Sequence, residues 1–193
     1  MGQDIRILEK KLLSDNWYKL YKYSYETVDK KGNKKIERRE AYDRGNGAVI
    51  LLYNKSKKTV ILTRQFRLPT YVNGNESGMM IEACAGLLDK DNPEDCIRKE
   101  TEEETGYRID HVEKILEAYM SPGSVTEVLY FFVAEYQSNQ KISEGGGVEG
   151  EENIEVLEIP FHQAWHMVST GEIRDAKTVI LLQHAKLAKL IPE

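Results

Sequence analysis

Four glutamates lie close together near the middle of the chain, at Glu100, Glu102, Glu103 and Glu104. Because a helix turns by ~100° per residue, Glu100 and Glu104 would share one helical face, with Glu103 beside them. Like charges at this spacing destabilise an isolated helix, so their repulsion must be offset. A divalent cation would offset it, and Mg²⁺ prefers hard oxygen ligands. A solvated acidic helix face is the alternative that this pattern leaves open.

The residues on either side of the glutamates predict the helix that positions them. Asn92 suits an N-cap, and Pro93 suits the first turn that follows. Gly106 suits the end of the helix, where a left-handed residue is common. Residues 79–83 precede this region and predict a strand that carries Glu82.

Residues 99–107 resemble the end of the Nudix box, usually written R-E-U-x-E-E-x-G-U with U apolar, and 85–88 resemble the glycine loop that opens it. Lys99 replaces the usual arginine, Thr101 replaces an aliphatic residue, and the spacing to Glu100 is one residue short. The chain is identified as a member of the Nudix family. The resemblance implies an α+β fold, an α/β/α sandwich with a mixed sheet between helices, and an antiparallel β extension at the N-terminus.

The same resemblance implies a metal site built on the predicted helix. Glu100 and Glu104 would bind Mg²⁺, with Mn²⁺ as a substitute, and the Ala85 carbonyl would be a further ligand. Glu103 would act in catalysis, either as a ligand or beside one. A side chain at Gly86 would obstruct the approach of backbone groups to metal and phosphate.

Further carboxylates are expected from two later segments. Residues 137–147 end in three glycines and precede a carboxylate cluster, which favours a mobile segment that swings charge over a site; a plain flexible linker is the alternative. We expect Glu152 to be a metal ligand, with Glu151 and Glu127 as candidates for the general base. A surface carboxylate at a strand start is the other interpretation of Glu127.

Basic and aromatic residues are expected to contact a substrate. Arg67 follows Arg64-Gln65-Phe66, a pattern that resembles the ADP-sugar-type Nudix group, and its guanidinium suits a phosphate. A surface ion pair is the alternative for Arg67, and a solvated lysine is the alternative for Lys177. The substrate-binding set that the resemblance implies is Trp17, Arg38, Arg39, Glu40, Arg67, Ala85, Gly86, Leu87, Glu104, Glu127, Glu151 and Lys177.

Residues 1–44 predict a separate β-strand extension, and 45–193 predict the Nudix hydrolase domain. Aromatic and polar residues alternate over 17–28, and 29–33 supply a hairpin turn. A piece of two or three strands cannot bury its own faces, so it needs a partner surface, either its own main domain or a second subunit. The resemblance implies a second subunit in a homodimer, because similar nucleotide-sugar hydrolases of this family dimerise through such an extension. An ordinary first sheet of one domain is the alternative. Trp17 would stack on guanine or, alternatively, lie in a core.

Composition restricts the class of protein. The formal net charge of −5 argues against a general nucleic-acid binder. We expect no membrane segment and no signal peptide, since the chain has no long apolar run. Its two cysteines, Cys84 and Cys96, predict buried reduced thiols in a cytoplasmic enzyme.

Segments 14–17, 39–47 and 74–78 extend the resemblance to a nucleotide-sugar branch of the family. It implies metal-dependent hydrolysis of GDP-mannose to GMP and mannose 1-phosphate. An ADP-ribose or ADP-sugar pyrophosphatase is the first alternative. A non-catalytic nucleotide-binding module is the second, and Lys99 in place of arginine is its only support.

Overall fold

The computed structural model describes residues 5–88, 90–148 and 153–192. The chain forms two compact units, and each is described by itself below. The first unit comprises Met1–Asn46 and Tyr119–Val128, and the second comprises Gly47–Ala118 and Leu129–Glu193.

The first unit contains an antiparallel sheet of three strands in the order β1-β2-β3. Its strands are β1 (Arg6–Asp15), β2 (Lys19–Val28) and β3 (Lys34–Asp43). The predicted hairpin turn joins β2 to β3, where the Asp29 carboxylate accepts hydrogen bonds from the amides of Lys31 (2.7 Å) and Asn33 (2.9 Å). Trp17 lies between β1 and β2 with 85% of its surface exposed, so the interpretation of a core tryptophan is wrong.

The second unit is a mixed sheet with helices. Its strands are β4 (Gly47–Asn54), β5 (Thr59–Phe66), β6 (Met79–Glu82), β7 (Cys84–Leu87), β8 (Glu113–Tyr119), β9 (Val128–Glu135) and β10 (Glu155–Pro160). Its helices are α1 (Leu68–Val72), α2 (Pro93–Thr105), α3 (Phe161–Thr170) and α4 (Ala176–Leu187). The main path of the sheet runs β10-β5-β4-β9-β8, and β4 and β9 are parallel.

Strand β4 lies at the centre of the core. All eight of its residues are buried, as its nearly continuous apolar sequence predicts. Ile97 of α2 and Phe132 of β9 belong to the same buried cluster as Ile50. The core therefore joins the acidic helix to the middle of the sheet.

Strands β4 and β5 separate part of the way along. They pair only between 52–54 and 59–61, after which β6 pairs with β5 and β7 pairs with β4. The prediction that Ala85 and Gly86 form a loop is therefore wrong. They lie in strand β7, where Ala85 pairs with Val49 and Gly86 pairs with Ala48. Pairing with β4 satisfies backbone groups that a loop in this interior position would leave without partners.

Two local features differ from what their sequences predict. The turn-rich, polar residues 71–78 predict a loop, but this segment begins inside α1, because Pro69 stands in the first turn and favours helix there. The apolar pattern of the last helix predicts that Leu182 and Leu187 lie in the core. Leu182 is buried together with Leu181 and Ala185, whereas Leu187 is 84% exposed at the last residue of α4.

Candidate metal and diphosphate site

Helix α2 has the ends that the sequence predicts. The Asn92 side chain accepts a hydrogen bond from the Asp95 amide (3.0 Å), which caps the first turn. Gly106 ends the helix with φ of 77° and donates its amide to the Glu102 carbonyl (3.0 Å). The four glutamates therefore lie within the second half of a helix whose two ends are capped.

Glu100 and Glu104 of α2 lie directly against β7. A Cβ at Gly86 would stand 2.1 Å from Cδ of Glu100 and 2.2 Å from its Oε1, so the Glu100 carboxylate can occupy this place only above a glycine. The Ala85 amide donates to Oε2 of Glu104 (3.3 Å). The structure thus brings two of the predicted carboxylate ligands to the strand whose Ala85 carbonyl is the third predicted ligand.

Glu103 and Glu104 have different surroundings. Glu104 is buried, whereas Glu103 is partly exposed and pairs with Lys99 at 3.7 Å, one helical turn away. Thr101, which replaces an aliphatic residue of the Nudix pattern, is fully buried and donates its hydroxyl to the Ile97 carbonyl (2.6 Å). This bond gives the buried hydroxyl a partner, and α2 continues past Thr101 to Thr105.

The two cysteines are buried and are not joined in a disulfide, as predicted. Burial raises the pKa of the Cys84 thiol well above its ordinary value, and the nearby charge of Glu104 raises it further. Cys84 therefore stays a neutral thiol next to the carboxylates.

Arg67 and Lys177, both predicted to meet the substrate, share a carboxylate that sequence reasoning did not assign to the site. Oε2 of Glu82 accepts a hydrogen bond from Nε of Arg67 (2.8 Å) and lies 2.7 Å from Nη2 of the same guanidinium. Oε1 accepts from Nζ of Lys177 (3.0 Å). Nζ of Lys177 also lies 2.8 Å from Oδ1 of Asp175. The signal that could have identified Glu82 is a single carboxylate in an apolar strand, which needs a cation when buried.

The Glu82 carboxyl stays ionised although it is 5% exposed. Burial alone would raise its pKa. The positive charges of Lys177 and Arg67, together with their hydrogen bonds, outweigh burial and hold the pKa of Glu82 below its ordinary value. The group therefore acts as a fixed anion between two cations.

The glycines at 145–147 attach to the end of α2. The amide of Gly146 donates to the Glu104 carbonyl (2.9 Å), and that of Gly147 donates to the Glu103 carbonyl (3.1 Å). All three glycines have positive φ, between 70° and 110°. This hydrogen-bonded attachment differs from the mobile segment or plain linker that the composition predicts.

Glu151 and Glu152 lie outside the described residues, so their expected roles stay predictions. Among residues 5–88, 90–148 and 153–192, no group of three or more His, Cys, Asp or Glu side chains is arranged to hold a metal ion. The pair Glu100 and Glu104 would therefore need further donors, such as the Ala85 carbonyl.

Four more of the predicted substrate residues belong to the first unit. Arg38, Arg39 and Glu40 are exposed on β3, and Nη2 of Arg39 pairs with Glu37 at 3.1 Å. Glu127 immediately precedes β9 and pairs with Nε of Arg44 at 3.3 Å. The Glu127 side chain is 12% exposed and is held in this ion pair, and its role as a general base stays a prediction. Leu87 ends β7 in the second unit.

No helix within the described part of the chain combines the length and the apolar character needed to cross a membrane.

Comparison with known protein families finds two matching models. Residues 43–182 match the NUDIX domain, and 4–42 match the GDP-mannose pyrophosphatase NudK N-terminal domain. The first match spans most of the chain.

Several bacterial GDP-mannose pyrophosphatases are similar to the chain over nearly its whole length. The GDP-mannose pyrophosphatases of Escherichia coli (strain K12) and Shigella dysenteriae serotype 1 (strain Sd197) are each 58% identical over 191 residues, covering 99% of this chain and 100% of theirs. The GDP-mannose pyrophosphatase of Pectobacterium atrosepticum is 60% identical over 185 residues, covering 96% of this chain and 95% of its own.

A solved structure described as an ADP compounds hydrolase has a similar fold. It has a TM-score of 0.71 at 15% identity and covers 96% of this chain and 94% of its own. At that identity the likeness concerns the fold alone, and it confirms the expected mixed sheet with helices.

Proposed function

The chain belongs to the Nudix family, and we propose that it hydrolyses the diphosphate bond of GDP-mannose to give GMP and mannose 1-phosphate. The observation that carries the choice of substrate is the 58–60% identity to GDP-mannose pyrophosphatases over nearly the full length of both chains. The placement of Glu100 against Gly86 and of Glu104 against the Ala85 amide supports the hydrolytic part of the proposal.

The residues around β7 fit a divalent metal ion, for which we propose Mg²⁺. Carboxylate oxygens are the donors that such an ion prefers, and a side chain at Gly86 would displace the Glu100 carboxylate from β7. Glu100, Glu104, the Ala85 carbonyl and Glu152 would hold the ion, with Glu103 beside them. When bound, the ion offsets negative charge that develops on the diphosphate and helps to activate water.

The protein's own groups complete the reaction. Arg67 donates hydrogen bonds to the diphosphate, because its guanidinium carries donors at Nη1 beyond those that bind Glu82. Glu151 or Glu127 accepts the proton of the attacking water. Trp17, which is exposed, offers a face on which guanine can stack, and Arg38, Arg39 and Glu40 supply polar contacts to the substrate.

We further propose that 1–44 form a dimerisation extension, that 45–193 form the hydrolase domain, and that the homodimer works in the cytoplasm. Apolar side chains are exposed along β1 and just before it, which supports pairing with a second copy. The exposed residues are Ile5, Ile7, Leu8, Leu12 and Leu13.

The experiment that tests the proposed function is product analysis on a panel of nucleotide sugars with Mg²⁺. We expect GDP-mannose to give GMP and mannose 1-phosphate with the highest kcat/KM of the panel. Faster turnover of ADP-ribose than of GDP-mannose would contradict the proposed substrate and identify an ADP-sugar pyrophosphatase. Binding of nucleotide without any cleavage in Mg²⁺ or Mn²⁺ would instead identify a non-catalytic binding module.

A further inference from the structure

Glu82 holds two cations that come from distant parts of the chain. Arg67 directly follows β5, and Lys177 lies in the first turn of α4. Each oxygen of the Glu82 carboxylate accepts from one of the two cations, so neither cation competes for the same oxygen. The carboxylate therefore fixes the distance between the guanidinium and the ammonium.

The surrounding hydrogen bonds fix the position of Lys177 relative to Glu82. The amide of Ala83, the next residue after Glu82, donates to the Thr178 hydroxyl (2.7 Å). Asp175 caps α4 through the Thr178 amide (3.0 Å) and also binds Nζ of Lys177. The start of α4 is thus attached to the end of β6 by both backbone and side-chain contacts.

The exposed fractions of the two cations show which one remains accessible. The Arg67 side chain is 40% exposed, whereas that of Lys177 is 15% exposed. Arg67 uses Nε and Nη2 for Glu82 and keeps the donors of Nη1 for another anion. A long side chain loses rotamer freedom when it binds a ligand, and an arginine that is already held has less freedom to lose.

We propose that Glu82 is a positioning residue for substrate binding, which presents Arg67 to the diphosphate of the nucleotide sugar and keeps Lys177 beside it. Glu82 itself does not touch the substrate in this account. The inference rests on the proposed function. A purely structural ion network that ties β6 to α4 is the competing explanation, and it predicts a loss of stability without a specific effect on substrate affinity.

Steady-state kinetics and calorimetric binding of GDP-mannose test the proposal with Glu82→Gln. Glutamine keeps the size of the side chain, but its amide nitrogen would face one of the two cations and cannot accept from it. We expect both KM and Kd to rise about tenfold, with a much smaller change in kcat, because the arginine is no longer held. In an Arg67→Ala background, the same change should raise KM far less, since the two residues act together.

Glu158→Gln is the matched control. Glu158 is a carboxylate whose side chain is 34% exposed. It accepts from Nζ of Lys57 (2.9 Å) and from the hydroxyls of Tyr136 (2.9 Å) and Thr59 (3.2 Å), so its partners are not those of Glu82. We expect this variant to have a lower Tm and an unchanged KM. If Glu82→Gln does not fold, Glu82→Asp keeps the charge but is too short to hold both cations, and it should raise KM to a smaller extent.

Wild-type KM and Kd in a folded Glu82 variant would overturn the proposal. It would also be overturned if Glu82→Gln raised KM as much in the Arg67→Ala background as in the wild-type protein. The binding measurement separates this inference from the proposed function. If the wild-type protein binds GDP-mannose without cleaving it, the proposed function fails, while the change in Kd still decides the role of Glu82.

Discussion

Gly86 is the residue whose replacement should disturb the site most directly. An alanine Cβ would overlap the Glu100 carboxylate, with 2.1 Å to its Cδ, and would push away a proposed metal ligand. We expect Gly86→Ala to lower kcat/KM for GDP-mannose by about 10²-fold, as a small displacement of a catalytic group does. The free energy of unfolding should change little, because the end of a glutamate side chain can rotate away.

Gly123→Ala is the control for this prediction. A Cβ at Gly123 would meet no atom within 4 Å, and its φ is not positive. Wild-type activity in Gly86→Ala, measured at saturating Mg²⁺, would show that Glu100 need not occupy the place above β7.

At the scale of elements, the end of α2 depends on the glycine segment at 145–147. Gly145 has φ of +70°, and a Cβ there would lie 2.5 Å from the Glu104 carbonyl oxygen and 2.6 Å from the Thr105 carbonyl carbon. These are backbone atoms, which cannot rotate away. We expect Gly145→Ala to lower the free energy of unfolding by about 2–5 kcal/mol, from left-handed strain together with overpacking.

Gly171→Ala separates the two contributions in chemical denaturation. Gly171 also has a positive φ, +80°, but a Cβ there would meet no atom within 4 Å. Its cost should be the strain alone, about 1–2 kcal/mol. Equal losses for the two variants would mean that the segment does not pack tightly against α2.

The elements also show which features the sequence can predict. The ends of α2 follow from Asn92, Pro93 and Gly106, because caps depend on residues close together in sequence. The strand character of Ala85 and Gly86 could not be predicted, since it arises from pairing with β4, which is distant along the chain. For the same reason the sequence does not reveal the partners of Glu82, because Arg67 after β5 and Lys177 of α4 reach β6 only in the folded chain.

At the scale of the whole molecule, the exposed apolar residues of β1 predict a dimer. Ile7 is 55% exposed on this strand, and a charge there would oppose burial against a second copy. Light scattering should give twice the 22.2 kDa chain mass for the wild-type protein and a single-chain mass for Ile7→Asp. Val72→Asp, at a 73% exposed apolar residue in α1, is the control that should remain a dimer. A wild-type protein with the mass of one chain would contradict the proposed dimer.

The most direct test of the whole account is GDP-mannose turnover with Mg²⁺ in the double variant Glu100→Gln and Glu104→Gln. Loss of both carboxylates should reduce kcat/KM by about 10³-fold or more, because the charge that holds the ion is removed. Glu102→Gln is the control. The Glu102 carboxylate accepts hydrogen bonds from Arg108, so we expect this variant to keep wild-type turnover. Release of GMP and mannose 1-phosphate at the wild-type rate by a folded double variant would contradict the placement of the reaction at α2 and β7.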